Sequence, residues 1–453
     1  MRAHLLGMLC ASCLQAAPPV VDAIYPAGGK RGDSVDVELV GKVPDEGLQF
    51  WASHPGITFV GTKDERQLRL SKECPLGPHW LRFYNAEGSA LPQLFVVGDM
   101  IEQVEKEPND AIEELEPIVE WPVTINGRLS KSGESDLFAL ALLKGETFDA
   151  EIIAYRLDSP IDPLLRLVDE SGNMIAWNHD RYDSLDPRLS HTATYSGRHY
   201  LTVVGFVYPP AARSRFEGSK ETVYRLQISS GKSSCEYPGL SVIAEPGETD
   251  EMPIEAKKGV NYEIAVEAQS LNSPLDPWLE VRDAKGKVLA KNDDSEGIDA
   301  ALSWKAPETG TYMIALRDLL RQGGEGYHYK LSVTEAKPSF EVTVGDHAWT
   351  VEEGAEVEIP LKVERKNGHS RPITVTFVEL SLELDSQSVT IPGTASQGAM
   401  QLSASEFTAM IRLSATDGLT KIQVACPFKG ATTDEGGMLK NRLEDFLLIT
   451  RKK

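Results

Sequence analysis

An internal repeat limits what this chain can fold into more than any other feature. Lys144-Gly145 recurs as Lys258-Gly259, Ser159-Pro160-Ile161-Asp162-Pro163 as Ser273-Pro274-Leu275-Asp276-Pro277, and Asp169 and Gly172 as Asp283 and Gly286, all displaced by 114 positions. Asn178-His179-Asp180 matches Asn292-Asp293-Asp294 at the same offset, Asp186 and Gly197 match Asp299 and Gly310 at 113, and Tyr224-Arg225-Leu226 matches Tyr329-Lys330-Leu331 at 105. A register that holds within alternating runs and slips between them is that of strands joined by variable loops, so the first copy is expected to carry a longer excursion around Tyr208 to Lys220. A unit of about 100 residues is too long for a solenoid repeat and long enough for an independent domain.

The local pattern agrees. Apolar residues alternate with polar ones and are broken by Gly, Pro, Asn or Asp, while sustained helical periodicity is scarce. Val35, Val37 and Leu39 face one way and Asp36 and Glu38 the other. Near the end, Val357, Ile359, Leu361 and Val363 alternate with Glu356, Glu358, Pro360 and Lys362, and Lys366-Asn367-Gly368 supplies a turn. Pro360 cannot donate to a ladder and predicts an edge strand. The chain therefore reads as all-β, with four tandem β-sandwich domains behind a signal peptide. Punctuation sets the boundaries: a signal peptide over 1–17, a first domain over 18–98, the first repeat copy with its acidic linker over 99–231, the second copy over 236–335, and a last domain over 338–450. The linker, Asp99 to Glu120, holds nine acids and one Lys; Gly231-Lys232-Ser233-Ser234 and Ala336-Lys337-Pro338 mark the later joints.

The signal peptide is read from Arg2 and His4 ahead of the apolar run Leu5 to Leu14, with Gln15-Ala16-Ala17-Pro18 suited to cleavage. A lipid anchor is not expected, because Cys13 has Cys10 where a Leu-like residue would stand. No later run approaches the roughly 18 apolar residues of a membrane span. A secreted, periplasmic or surface-associated product follows. With 68 acids against 46 bases the net charge is −22 with no basic block, which excludes nucleic acid as a partner. Once Cys10 and Cys13 leave with the signal, Cys74, Cys235 and Cys426 remain, one to a domain and odd in number, so they read as buried small hydrophobes and not as a disulfide framework.

Four short motifs in order carry a resemblance. Glu105-Lys106-Glu107-Pro108-Asn109-Asp110, Ile125-Asn126-Gly127-Arg128-Leu129, Gly133-Glu134-Ser135-Asp136-Leu137-Phe138 and Ser159-Pro160-Ile161-Asp162-Pro163 together resemble the bacterial pre-peptidase C-terminal domain. That family is a jelly-roll-like sandwich appended to secreted peptidases and other surface proteins. The second copy keeps the Ser-Pro-Leu-Asp-Pro and Asn-Asp-Asp parts and lacks the Glu-Pro-Asn-Asp opening, so it resembles a degenerate member. Tyr25-Pro26-Ala27-Gly28-Gly29 and Arg31-Gly32 make the first domain similar to immunoglobulin-like TIG domains, and the last resembles a generic bacterial immunoglobulin-like sandwich. These likenesses imply a fold and a location more than an activity.

The resemblance also implies calcium. Alternate residues of an extended segment present several carboxylates to one ion, which takes 6 to 8 oxygens. Glu105, Glu107, Asn109 and Asp110 form that segment, and Glu134 and Asp136 are the candidate second strand. The bland reading of the same residues is a solvated linker with a turn at Pro108-Asn109. Asn178, Asp180 and Asp183, with Asn292, Asp293 and Asp294, read as turn formers first and as metal ligands second; Ser159 to Pro163 reads as a fixed corner in which Asp162 accepts buried backbone hydrogens. His179, His191 and His199 fall within one domain, and Trp51, Trp80, Trp177 and Trp278 are candidate sugar-stacking platforms against a core reading. No His-Glu-x-x-His, Gly-x-Ser-x-Gly or phosphate-loop motif is present, and no residue is assigned a catalytic role. The expected function is a non-catalytic binding or adhesion protein at the cell exterior, with extracellular protein or polysaccharide as partner. Its alternatives are an accessory or targeting subunit of a secreted peptidase and a structural component of envelope or matrix.

Overall fold

The computed structural model describes residues 17–62, 65–112, 115–180, 184–207, 216–230, 240–271, 273–293, 299–324, 326–352, 354–379, 388–403, 409–427, 442–443 and 445–451. Residues 1–16 of the expected signal peptide, Asp183, Cys235, the 231–234 joint, Asp294 and part of the 208–220 excursion lie outside these residues. Regular structure is dominated by strand, with single 3-10 turns such as Tyr155–Leu157 and Gln269–Leu271.

The repeat is realised as one topology built twice. In the first copy, one sheet runs in the order Val123–Arg128, Val223–Ser230, Thr147–Ile153, Arg188–Thr192 and the other Asp136–Leu142, Gly197–Val207, Ile161–Val168, Met174–Asn178. In the second, the orders are Ser241–Val242, His328–Glu335, Asn261–Glu267, Ala301–Lys305 and Asp250–Ala256, Gly310–Asp318, Pro277–Arg282, Val288–Asn292. Strand for strand these are the same eight in the same neighbourhood. In each copy the two sheets share a core: Ile125, Phe148, Ile152, Leu226 and Ile228 from one sheet meet Phe138, Leu140, Leu165, Leu167 and Leu201 from the other, and Ile264, Val266 and Trp304 meet Leu279, Val281 and Ile314. Even the 3-10 turns recur, each pinned by a carboxylate. Asp186 accepts from the backbone N–H groups of Ala154, Tyr155 and Arg156, and Asp299 from those of Ala268 and Gln269. The corner-fixing role expected of Asp162 thus belongs to Asp186, because the chain turns at 154–157, within reach of Asp186.

The acidic segment is not simply a linker. Ile101–Val104 joins the first copy as a fifth strand, parallel to Val123–Arg128. The charge that hid this strand in the sequence is neutralised in place: Glu102 takes a two-pronged contact from Arg225, Oε1 from Nη2 at 2.7 Å and Oε2 from Nη1 at 3.2 Å. Arg225 is fully buried and also donates to Asn126 Oδ1 at 2.7 Å.

The first unit packs Gly28–Lys30, Gln93–Gly98, Gly77–Asn85 and Gln49–Ala52 as one sheet against Ser34–Asp36, Arg66–Leu70 and Ile57–Gly61, around Leu68, Leu81, Phe83, Phe95 and Cys74. The alternating run at 34–40 breaks into two strands at Val37, and its apolar face is still buried at Val37 and Leu39. In the last unit Val357, Ile359, Leu361 and Val363 are buried as their alternation requires, and Asn367 and Gly368 take positive φ in the expected turn. Glu356–Lys366 is nevertheless a central strand, paired on both sides. Pro360 is tolerated because the Ser339–Val344 ladder stops opposite Leu361, so Pro360 needs a partner only toward Ala399. Cys74 and Cys426 are buried, as small hydrophobes are, with Cys74 Sγ 3.8 Å from His79 Nε2.

The first unit and the first copy share a small apolar core of Ala27, Leu94 and Val96 against Ile153, Leu157 and Val223. The first unit also meets the last, where Arg82 donates to the His347 carbonyl at 2.8 Å. At the first of these joints Gly28 is required for space, since a Cβ there would overlap the Arg225 guanidinium. Gly28→Ala is therefore expected to cost about 1–3 kcal/mol of overpacking in urea melting. Gly310→Ala, where a Cβ meets nothing, should stay within about 0.5 kcal/mol.

Candidate metal centre

The added strand delivers Glu105 into the rim of the first sandwich. Its backbone N–H bonds the Asn126 carbonyl, continuing the parallel ladder by one residue. Its carboxylate then turns inward. Oε1 accepts from the Arg128 backbone N–H at 2.7 Å and from the Tyr25 hydroxyl at 3.2 Å, and Oε2 lies 3.2 Å from the Tyr224 hydroxyl. Asp136, at the start of its strand and completely buried, receives the same Tyr224 hydroxyl on Oδ2 at 2.6 Å. One hydroxyl hydrogen cannot serve both carboxylates. With the proton on the shorter bond, Glu105 Oε2 faces a bare oxygen.

The chain then turns through a cis peptide at Glu107-Pro108, and Glu107 Oε2 accepts from the Asn109 N–H at 3.2 Å. Leu137 donates its N–H to the Asn109 carbonyl at 2.9 Å, which ties this turn to the strand carrying Asp136. One oxygen each of Glu105, Glu107 and Asp136 lie within 4.8 Å of one another. Beside them are buried polar atoms with no hydrogen-bond partner: Asp136 Oδ1 and both side-chain polar atoms of Asn109, itself 3 % exposed. An orphaned carboxylate oxygen beside two more carboxylates, with an orphaned amide oxygen on the adjoining turn, is a donor set that suits a hard cation.

The other two residues expected at this site are placed differently. Glu134 is buried but caps its own turn, accepting from the Ser130 hydroxyl and the Lys131 N–H at 3.1 Å each. Asp110 is on the exposed rim, 3.8 Å from Lys131 Nζ. Two residues that the sequence did not single out complete the site, Tyr25 and Tyr224. The signal for Tyr224 was its recurrence as Tyr329, whose hydroxyl donates to Asp250 at 2.5 Å. Gly247-Glu248-Thr249-Asp250 thereby corresponds to Gly133-Glu134-Ser135-Asp136, and Glu248 caps its turn through the Glu245 N–H as Glu134 does. The second copy thus keeps half of the arrangement. Among the described residues no strand equivalent to Ile101–Val104 faces it.

The electrostatics follow from this crowding. Burial and then the neighbouring carboxylates, Glu107 for Glu105 and Glu105 for Asp136, push both carboxyls well above the ordinary carboxylate range, and Glu107 is raised in the same sense. Burial and the same two carboxylates hold the Tyr224 phenol protonated.

The other candidates do not converge here. His191 and His199 stand 6.5 Å apart by ring centroid, with His199 stacked on Tyr195, while His179 faces Asp162 and Asp180. Of the tryptophans, Trp177 is exposed, Trp51 and Trp80 are half-buried, and Trp278 is half-buried under Lys291 and Arg317.

No family model matches the chain. Over 74 residues it is 36 % identical to a probable subtilase-type serine protease of Deinococcus radiodurans, a match covering 16 % of this chain and 10 % of that protein. Among solved structures it is similar to fibronectin(III)-like modules of Clostridium thermocellum CbhA, at 10 % identity and TM-score 0.16 over 48 % of this chain and 93 % of that one. It is likewise similar to a Dscam structure, at 9 % identity and TM-score 0.19 over 96 % and 100 %. Likenesses this distant carry no functional weight, and the all-β assignment rests on the sheets themselves.

Without a cation, both buried carboxyls bind protons in the folded state that the unfolded chain has released by about pH 5, so folding stability must fall as pH rises from there. Thermal melting in chelator is expected to give a lower midpoint at pH 8 than at pH 5.5. Asp136→Asn should flatten that slope.

Proposed function

We infer that this chain is a non-catalytic, exported binding protein whose first repeat copy is organised by calcium at Glu105, Glu107, Asn109 and Asp136. The observation that carries this reading is the orphaned Asp136 Oδ1, buried beside two carboxylates that have no buried counter-ion among the described residues. When bound, calcium would supply charge neutralisation and oxygen coordination. Asp136 and Glu105 would offer it oxygens while Tyr224 and Tyr25 keep those carboxylates aimed, and Glu107 and Asn109 would close the shell from the turn. Tyr25 belongs to the first unit. A site that orders Glu105 therefore also favours the packed joint between the first unit and the first copy, and presents the two as one surface to an extracellular protein or polysaccharide. Among the described residues no helix is long and apolar enough to cross a membrane; export itself is read from the first seventeen residues.

A second reading is favoured by the short match to a probable subtilase-type serine protease: an accessory or targeting partner of a secreted peptidase, with the same site serving as a structural staple. Both readings assign no catalytic residue. Purified chain is expected to release no product from protein or polysaccharide substrates, and hydrolysis abolished by a single carboxylate or serine substitution would overturn them.

A cation bound only by the folded state stabilises it by about 2.7 kcal/mol at a hundredfold excess over its dissociation constant. Calorimetric melting at neutral pH is accordingly expected to shift upward by roughly 5 °C with millimolar calcium relative to chelator. The shift should vanish in Glu107→Ala, Asp136→Asn; an unchanged midpoint in the wild-type chain would reduce the segment to a structural turn.

A further inference from the structure

The geometry points to a second metal site on the first copy, at Asp162, His179 and Asp180, selective for a divalent transition ion such as zinc. It is independent of the calcium reading. Asp162 opens the long strand Ile161–Val168, and His179 and Asp180 follow the end of its neighbour Met174–Asn178, so antiparallel pairing brings the three together at one end of the sheet. One ligand atom from each lies within 4.8 Å of the others. His179 Nε2 stands 3.1 Å from Asp162 Oδ1, and His179 Nδ1 3.4 Å from Asp180 Oδ2. A tetrahedral zinc with bonds of roughly 2.0–2.2 Å sets its donor atoms about 3.3–3.6 Å apart and takes only one nitrogen of a ring, so Nε2 and Asp162 already stand near ligand spacing while the exposed Asp180, now on the Nδ1 side, has to swing to reach the same ion.

Two atoms of the set lack any other use. Asp162 Oδ1 and His179 Nε2 are both shielded from solvent and face only each other, at 3.1 Å. Burial leaves the Asp162 carboxyl above its ordinary range, with Asp180 and Asp186 adding to the rise and His179 opposing it. Asp186 is no competitor for the ion: it is committed to the backbone amides of the 154–156 turn and to Arg156 Nε. Phe206 stands edge-on to the imidazole at 5.5 Å, giving the site an apolar wall on one side. Asp180 is the exposed member.

The repeat supplies the argument for selectivity. At the corresponding positions of the second copy stand Asp276, Asp293 and Asp294, three carboxylates and no imidazole. One His with two carboxylates suits zinc, cobalt or nickel, and an all-oxygen set does not distinguish them from calcium or magnesium. Only the first copy has the nitrogen donor.

The test uses Co2+ titrated into the purified chain under saturating calcium, read by the visible d–d absorption of the bound ion. The wild-type chain should develop the bands, and Zn2+ should quench them. His179→Gln and Asp180→Asn should each weaken Co2+ binding by at least about tenfold, while Glu107→Ala leaves it unchanged. Asp180 is exposed, so Asp180→Asn keeps the test decisive if His179→Gln folds poorly. Absence of the bands in the wild type, or bands that persist in both variants, would overturn the assignment.

Discussion

Two carboxylates and one phenol hydrogen make up the constraint on which the first repeat copy depends. Glu105 and Asp136 both reach the Tyr224 hydroxyl, which can satisfy only one of them. They are forced together because Ile101–Val104 adds to the sheet in parallel and in register, and Glu105 is the next residue. Removing two charges from water without pairing them costs more than either contact returns. The arrangement is stable only with protons or a cation between the oxygens, and the orphaned atoms of Asp136 and Asn109 mark where the second option fits.

The same segment joins two units of the protein. Glu102, three residues before Glu105, is the partner of the buried Arg225, and Arg225 fills the space that Gly28 of the first unit leaves open. Tyr25 bonds Glu105 while Arg128 lies over its ring at 4.4 Å. Charge neutralisation at the site and packing at the joint thus act through one short stretch of chain. The second copy shows what remains when that stretch is missing from the pattern: the tyrosine–aspartate pair persists between Tyr329 and Asp250, and Lys330, the counterpart of Arg225, pairs with Glu267 at the surface.

Much of this was legible in the sequence. The offset of 114 became a duplicated eight-strand topology, because strand-internal spacing is what a shared core preserves. The alternation at 357–363 became a buried face. Glu105, Glu107 and Asp136 could be named because the order of their motifs resembles a known domain. What could not be read depends on partners distant in the chain. Ile101–Val104 looks like linker until Arg225, far along the sequence, neutralises Glu102. Tyr224 looks like core until its hydroxyl is placed. Asp186 rather than Asp162 anchors the 154–157 turn, a choice between two aspartates that only backbone geometry makes. Pro360 reads as an edge signal because the sequence does not show where the neighbouring strand stops.

The most direct measurement of the central claim is a crystal structure of the chain grown in millimolar calcium. The account predicts one ion bonded at about 2.3–2.6 Å to oxygens of Glu105, Glu107 and Asp136, with the Asn109 side chain turned onto it and none at Asp250. Clear density for all four side chains with no ion between them, and Glu105 held only by Tyr25, Tyr224 and the Arg128 amide, would contradict it.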